Sequence, residues 1–265
     1  VLAAARRRRH RHGLPGVLRG AGRGSCAVPG RFRRPGIGVP GISGPRWPRV
    51  RGCGRLGSVS EQSGAAPAFR PRRQVRAVWD EESITVYQAY GPVIAGAAVA
   101  AGRFVPPFSR GRMTWVKPSF LWMMYRCGWA AKPGQERVLA VRMSRSGFEE
   151  ALGRSCLSCF DPGLHADHGQ WEALKASSPV RVQWDPERDA ALRPLPYRCL
   201  QVGIGPGAVD DYVERWVLSL RDITDEVVRL RSLPALGAAD LPDERPYPLP
   251  RALARRIGAS PYGTP

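Results

Sequence analysis

No run in this 265-residue chain approaches the roughly 18 consecutive apolar residues of a membrane span, and no apolar core follows its basic start as in a secretory signal. Cysteine is scarce. Six in 265 residues are too few for a disulfide scaffold, so reduced thiols in a soluble, cytoplasmic domain are expected. The chain also lacks G-x-x-x-x-G-K-[ST], G-x-G-x-x-G and G-x-S-x-G elements, which disfavours P-loop, Rossmann and α/β-hydrolase readings. Lys132-Pro133-Gly134 is only loosely similar to the lysine loop of nucleotidyl transferases and reads as a turn. No internal repeat is visible.

Acid is nearly missing from the first 75 residues, where 17 Arg stand against Glu61 alone, so most of the net charge of +19 sits there. The remainder holds 24 Lys or Arg against 21 acids, and the high pI says little about what the folded part binds. The same 75 residues hold 14 Gly and 8 Pro among scattered apolar positions. Such a segment cannot bury enough apolar surface to offset its ordering entropy, and residues 1–74 are expected to be a disordered leader. Arg6 to Arg9 could serve as a tail for nucleic acid or a membrane surface. The preferred reading is translated upstream sequence, because the chain begins with Val and the composition is biased. A transit peptide fits less well, since Ser is sparse and no amphipathic period is clear.

From Gln74 the composition changes. Val75 to Trp79 reads as an opening strand, and Asp80-Glu81-Glu82 suits the start of a helix over Ser83 to Ala101, kinked at Gly91-Pro92 and ended by Gly102. Arg112 to Lys117 reads as a short strand, with Pro118 opening a helix over Ser119 to Cys127 that Gly128 stops. Further strands are predicted at Arg137 to Met143, at Val180 to Trp184 with an end at Asp185-Pro186, and at Tyr197 to Ile204. Helices are predicted at Gly147 to Leu152, around Trp171 to Lys175, over Ala208 to Leu220 and over Ile223 to Leu233. Residues 237–265 read as a Pro-rich tail extended on the surface, with a short basic helix at Arg251 to Ile257. Short strands and helices in irregular order argue an α+β fold, a single compact domain over 75–236 with a small mixed or antiparallel sheet flanked by helices.

Several stretches carry a resemblance: VYQAY (Val86 to Tyr90), GRFVPPF (Gly102 to Phe108), Arg112 to Val141, FDPGLHADH (Phe160 to His168), SPVRVQWDPERD (Ser178 to Asp189) and PLPYRCLQVGI (Pro194 to Ile204). In order, over about Arg76 to Leu233, they resemble the bacterial and fungal domain-of-unknown-function 4291 family. The resemblance implies one compact domain and leaves the chemistry open.

The densest chemical signal is Arg103 to Trp129, with five cations, seven of the chain's 22 aromatics and no acid. Unpaired buried charge is expensive, so such a mixture suggests a pocket wall, with rings inward and guanidinium groups facing an anion. The expected function is an enzyme that handles a nucleotide-like anion, with NAD, in the manner of ADP-ribosyltransferases, as the candidate cofactor. That reaction needs a cation for the pyrophosphate, a ring against the nicotinamide and a carboxylate for the ribose oxocarbenium. Arg112 or Arg76, Trp115 or Tyr87, and Glu187 are the candidates, with Glu187 and Arg112 assigned to catalysis. Arg76, Tyr87, Arg110, Trp115 and Lys117 are assigned to ligand binding. The alternatives are a non-catalytic groove for single-stranded nucleic acid, or a structural or interaction protein whose Arg and Trp pair internally. Cys156-x-x-Cys159 followed by His165-x-x-His168 has the ligand types for zinc, but the intervening loop is tighter than in the usual zinc finger and reads as an ordinary turn, and no metal is assigned.

Overall fold

The computed structural model describes residues 70–260. The expected disordered leader therefore lies outside the described residues up to position 69, with Arg6 to Arg9, Cys26 and Cys53. Among the described residues no helix is long and apolar enough to cross a membrane.

Three sheets organise the described residues. β1 (Arg76–Ala77) pairs with β9 (Arg245–Pro246). β2 (Ser83–Tyr90), β4 (Arg137–Ser144) and β8 (Val217–Asp222) form an antiparallel sheet in that order. The third sheet runs β3 (Thr114–Val116), β7 (Pro194–Ile204), β6 (Val180–Arg188) and β5 (Ser155–Leu157), antiparallel except for the β5–β6 pair. Around them lie α1 (Pro92–Ala101), α2 (Phe120–Cys127), α3 (Arg145–Gly153), α4 (His168–Ser177), α5 (Pro206–Asp211), α6 (Thr224–Ser232) and α7 (Arg251–Ile257). This is the expected α+β arrangement with small sheets.

The β2-β4-β8 sheet divides two apolar clusters. Ile84, Val86, Leu139, Val141 and Met143 face the larger one, which they share with the inward side of the β6–β7 sheet. Tyr87 and Val138 face the smaller one, filled by α2, Trp129 and α6. Buried on both sides, β2 loses the alternation of a half-exposed strand.

That burial explains the first correction. Ser83 to Tyr90 is a strand, where a helix is predicted; its Ile, Thr, Val and Tyr side chains favour the pleat, and only Pro92 onward is helical. Asp80 caps no helix, and its Oδ1 accepts from the amides of Glu82 (3.0 Å) and Ser83 (2.7 Å) to form the turn into β2. Val217 to Leu220 also leaves the predicted helix. After α5 a π-helical turn (Tyr212–Trp216) ends it, and the chain joins β4 as strand β8. β6 runs on through Asp185-Pro186 to Arg188: Pro186 stays in register with Arg198, whose amide donates outward to the Arg72 carbonyl, so this pair needs no ladder donor from Pro186. Pro118 stands before the N-cap of α2: Ser119 is the cap, and Gly128, at φ 62°, closes the helix. Finally, the C-terminal segment is no surface tail. Tyr247 and Ile257 are fully buried, and β9 adds a strand to β1.

Candidate functional site

The four-stranded sheet has two unlike faces. Along β6, Val180, Val182 and Trp184 enter the core, while Gln183, Asp185 and Glu187 alternate to the other side. Along β7, Leu200 and Val202 enter the core, opposite to Cys199 and Gln201. The register sets Asp185 beside Cys199 and Gln183 beside Gln201, and the chain leaving β3 brings Lys117 next to them. Gln201 and Gln183 donate to the two oxygens of Asp185 at 2.6 and 2.9 Å. This polar face is not open to bulk water, since Lys117, Glu187, Cys199 and Gln201 are all buried.

Helix α2 covers part of that face with its N-terminus. The Ser119 hydroxyl caps the helix and donates to Glu187 Oε1 (2.8 Å). The next residue, Phe120, donates its amide to Glu244 Oε1 (2.6 Å), so adjacent positions of one helix start hold two carboxyl groups. The positive end of the helix dipole favours both. Arg76 reaches the same place from β1: its Nη2 donates to the Glu244 carbonyl (2.8 Å), and its charge acts on Glu187 and Tyr197. Arg188 lies over the Tyr125 ring at 3.6 Å, at the half-buried rim.

Burial dominates the electrostatics. It raises the Glu187 carboxyl above its ordinary value, against the Arg188 amide, the Ser119 hydroxyl and the Cys199 thiol. Burial raises Glu244 well above the usual range, and the neighbouring Glu187 charge adds to the shift. Asp185 is also raised by burial, despite Gln183 and Lys117. Burial and the nearby Arg126 push the Lys117 ammonium down to about 7. Its Nζ donates to the Trp115 carbonyl (3.2 Å) and lies 5.5 Å from the Trp122 ring. Concentrating ionisable groups where water is excluded costs stability, which makes this cluster a candidate functional site.

The predicted site residues divide into two sets. Glu187, Lys117 and Arg76 share this region, and Trp115 borders it, its ring seated on Gly203, where a Cβ would come within 2.9 Å of the indole. Arg112 is elsewhere. Thr114 pairs with Ile204 while Pro186 pairs with Arg198. Those six residues of β7 separate the two ends by about 20 Å. Arg112, exposed and beyond the far end, cannot meet Glu187 on one reacting group. Arg110 is exposed and paired with Asp210 and Glu214, and Arg103 also pairs with Glu214. Tyr87 is fully buried with its ring edge against Phe120, so it is a core side chain and offers no platform for a ligand. The Cys–His stretch also disperses: His168 stacks on Phe160 at 4.0 Å, Cys159 is exposed and Cys156 is buried in β5. Among the described residues no group of three or more His, Cys, Asp or Glu could hold a metal ion.

Sequence reasoning missed Glu244 and Cys199. Cys199 was within reach, because YRCLQVGI alternates and puts positions 197, 199 and 201 on one side. Glu244 gave no signal, since its place beside α2 depends on a segment more than 100 residues away.

A family model described as a domain of unknown function (DUF4291) matches residues 74–247, and the chain belongs to that family. The match takes in Arg76, Lys117, Glu187 and Glu244 together. No curated protein matches the chain.

Proposed function

We propose that the chain is an enzyme that cleaves the N-glycosidic bond of a nucleotide-like anion, with NAD as the substrate class, at the polar sheet face under α2. The observation that carries this reading is the pair Glu187 and Glu244 held by consecutive residues of one helix start, beside Arg76. Two carboxyl groups in unequal environments divide their roles. Burial pushes Glu244 further above its ordinary range than Glu187, which favours the proton on Glu244 and the charge on Glu187. As the C1′–N bond breaks, nicotinamide leaves with the bonding pair, and the Glu187 carboxylate stabilises the ribosyl cation. Arg76 offers its remaining donors to the pyrophosphate. Tyr125 and Tyr197, half-buried at the rim, are the rings suited to the bases, in place of Tyr87. The nucleophile then attacks C1′, and Lys117, which titrates near neutrality, is suited to take its proton.

The test is nicotinamide release from NAD by the full chain. Glu187→Gln is expected to lower the rate by about 100-fold or more. The same change should leave the fold as stable or more so. A carboxyl whose folded value is raised loses stability as pH rises past its ordinary value, and the neutral amide escapes that loss. Full activity in Glu187→Gln would remove the role given to this residue. The absence of both turnover and a thermal shift with millimolar NAD would remove NAD as the substrate.

A further inference from the structure

Arg255 and Arg256, in the last turn of α7, are exposed, and neither has a carboxylate partner among the described residues, whereas Arg103, Arg110, Arg142, Arg193 and Arg215 each have one. Both line an open groove of about 730 Å³ between α7 and the turn at Asp161 to Leu164. Across it stands Arg73, fixed by Asp161 Oδ2 (2.7 Å) and the Gly258 carbonyl (3.4 Å). Asp161 is the groove's acid and is neutralised by Arg73, so the lining keeps two uncompensated positive charges.

A smaller compartment of about 180 Å³ adjoins the groove and shares Leu164, Arg255 and Arg256 with it. Arg256 is oriented there by donating Nε to the Ser155 carbonyl (3.0 Å), which leaves both terminal nitrogens for a ligand. His165 also lines the compartment and is buried. The backbone of Asp161 engages its Nδ1 (3.0 and 3.2 Å), so Nε2 is its remaining polar atom. The two volumes differ in use: the larger suits a ligand of nucleotide size, and the smaller suits one compact anionic group.

We propose that this groove is a second anion site, which takes a small, nucleotide-sized ligand with its terminal phosphate in the compartment beside Arg256. Guanidinium pairs recognise phosphate in two-pronged fashion, and a terminal phosphate, with three free oxygens, offers them more acceptors than an internal phosphodiester does. The site shares no residue with the Glu187 region and stands independently of the function proposed there.

Calorimetric titration of the full chain with 5′-AMP, adenosine and an unphosphorylated oligonucleotide tests the assignment. AMP is expected to bind and adenosine to fail, with Arg255→Ala,Arg256→Ala weakening AMP about tenfold or more. Arg255→Glu, at an exposed side chain with no hydrogen bond or ion pair among the described residues, gives the same loss in a protein whose melting curve is unchanged. Glu187→Gln should leave AMP binding intact. Equal binding of adenosine, unaltered binding in the arginine variants, or no heat with millimolar AMP would overturn the site. Tighter binding of the oligonucleotide, falling steeply with salt, would overturn it in favour of a polynucleotide surface.

Discussion

The two faces of the β3-β7-β6-β5 sheet are built from the same strands, yet they follow opposite rules. One face sends Val182, Trp184, Leu200 and Val202 into a continuous apolar cluster, where burial of carbon stabilises the fold. The other collects Lys117, Asp185, Glu187, Cys199 and Gln201 under a helix start, where burial displaces nearly every titratable group from its ordinary value. The lesson is one of differential use. The core face makes the sheet rigid, and that rigidity lets the polar face hold charges that the fold would be more stable without.

Substitutions on the two faces should therefore move stability in opposite directions. The largest effect is expected for Trp184→Ala, which empties a buried ring position and leaves the Ile257 carbonyl without its indole donor (2.7 Å). A loss of about 4 kcal/mol, read from the denaturant midpoint, is the expected cost. A loss below ~1 kcal/mol would show that α7 and the sheet are not coupled through this residue.

Lys117→Met should do the reverse and stabilise the domain near neutral pH by about 2 kcal/mol, as apolar replacements of buried charge can. The sign follows from the shift from 10.5 to about 7. Below pH 7 both states hold the proton, and the folded state bears the whole penalty of a buried ammonium. Between 7 and 10.5 the folded state releases its proton first, so wild-type stability rises with pH and the advantage of the methionine fades. Melts taken at pH 6, 8 and 10 would display this convergence; a constant gap would mean that Lys117 does not titrate within the range. The smallest effect belongs to Arg110→Ala. Its pairs with Asp210 and Glu214 are solvent-exposed, so the melting temperature should barely move, and less still in high salt.

Local pattern made much of this architecture legible. The Arg137–Ser144 strand, the α2 helix with its Gly128 stop and the Arg251–Ile257 helix are continuous in sequence and carry their own caps or periods. The reading failed at Ser83 to Tyr90 and Val217 to Leu220, where spacing suits a helix and only pairing with the central strand β4 makes a sheet. The site divided in the same way. Glu187, Lys117 and Arg76 are conspicuous residue types, but grouping Arg112 with Glu187 rests on the chemistry the reaction needs, and strand pairing sets the two at opposite ends of the sheet.

The sequence by itself determined the charge division at about position 75, the α+β class, and the unusual density of cations and rings between Arg103 and Trp129. These follow from composition and short-range period, which need no partner. Tertiary structure alone decided which charges meet. Glu244 reaches Phe120, Arg76 reaches Glu244, and Lys117 loses its water, because strand register and the return of the C-terminal segment bring distant residues into one place. Desolvation depends on everything that surrounds a group, and no local stretch of sequence encodes it.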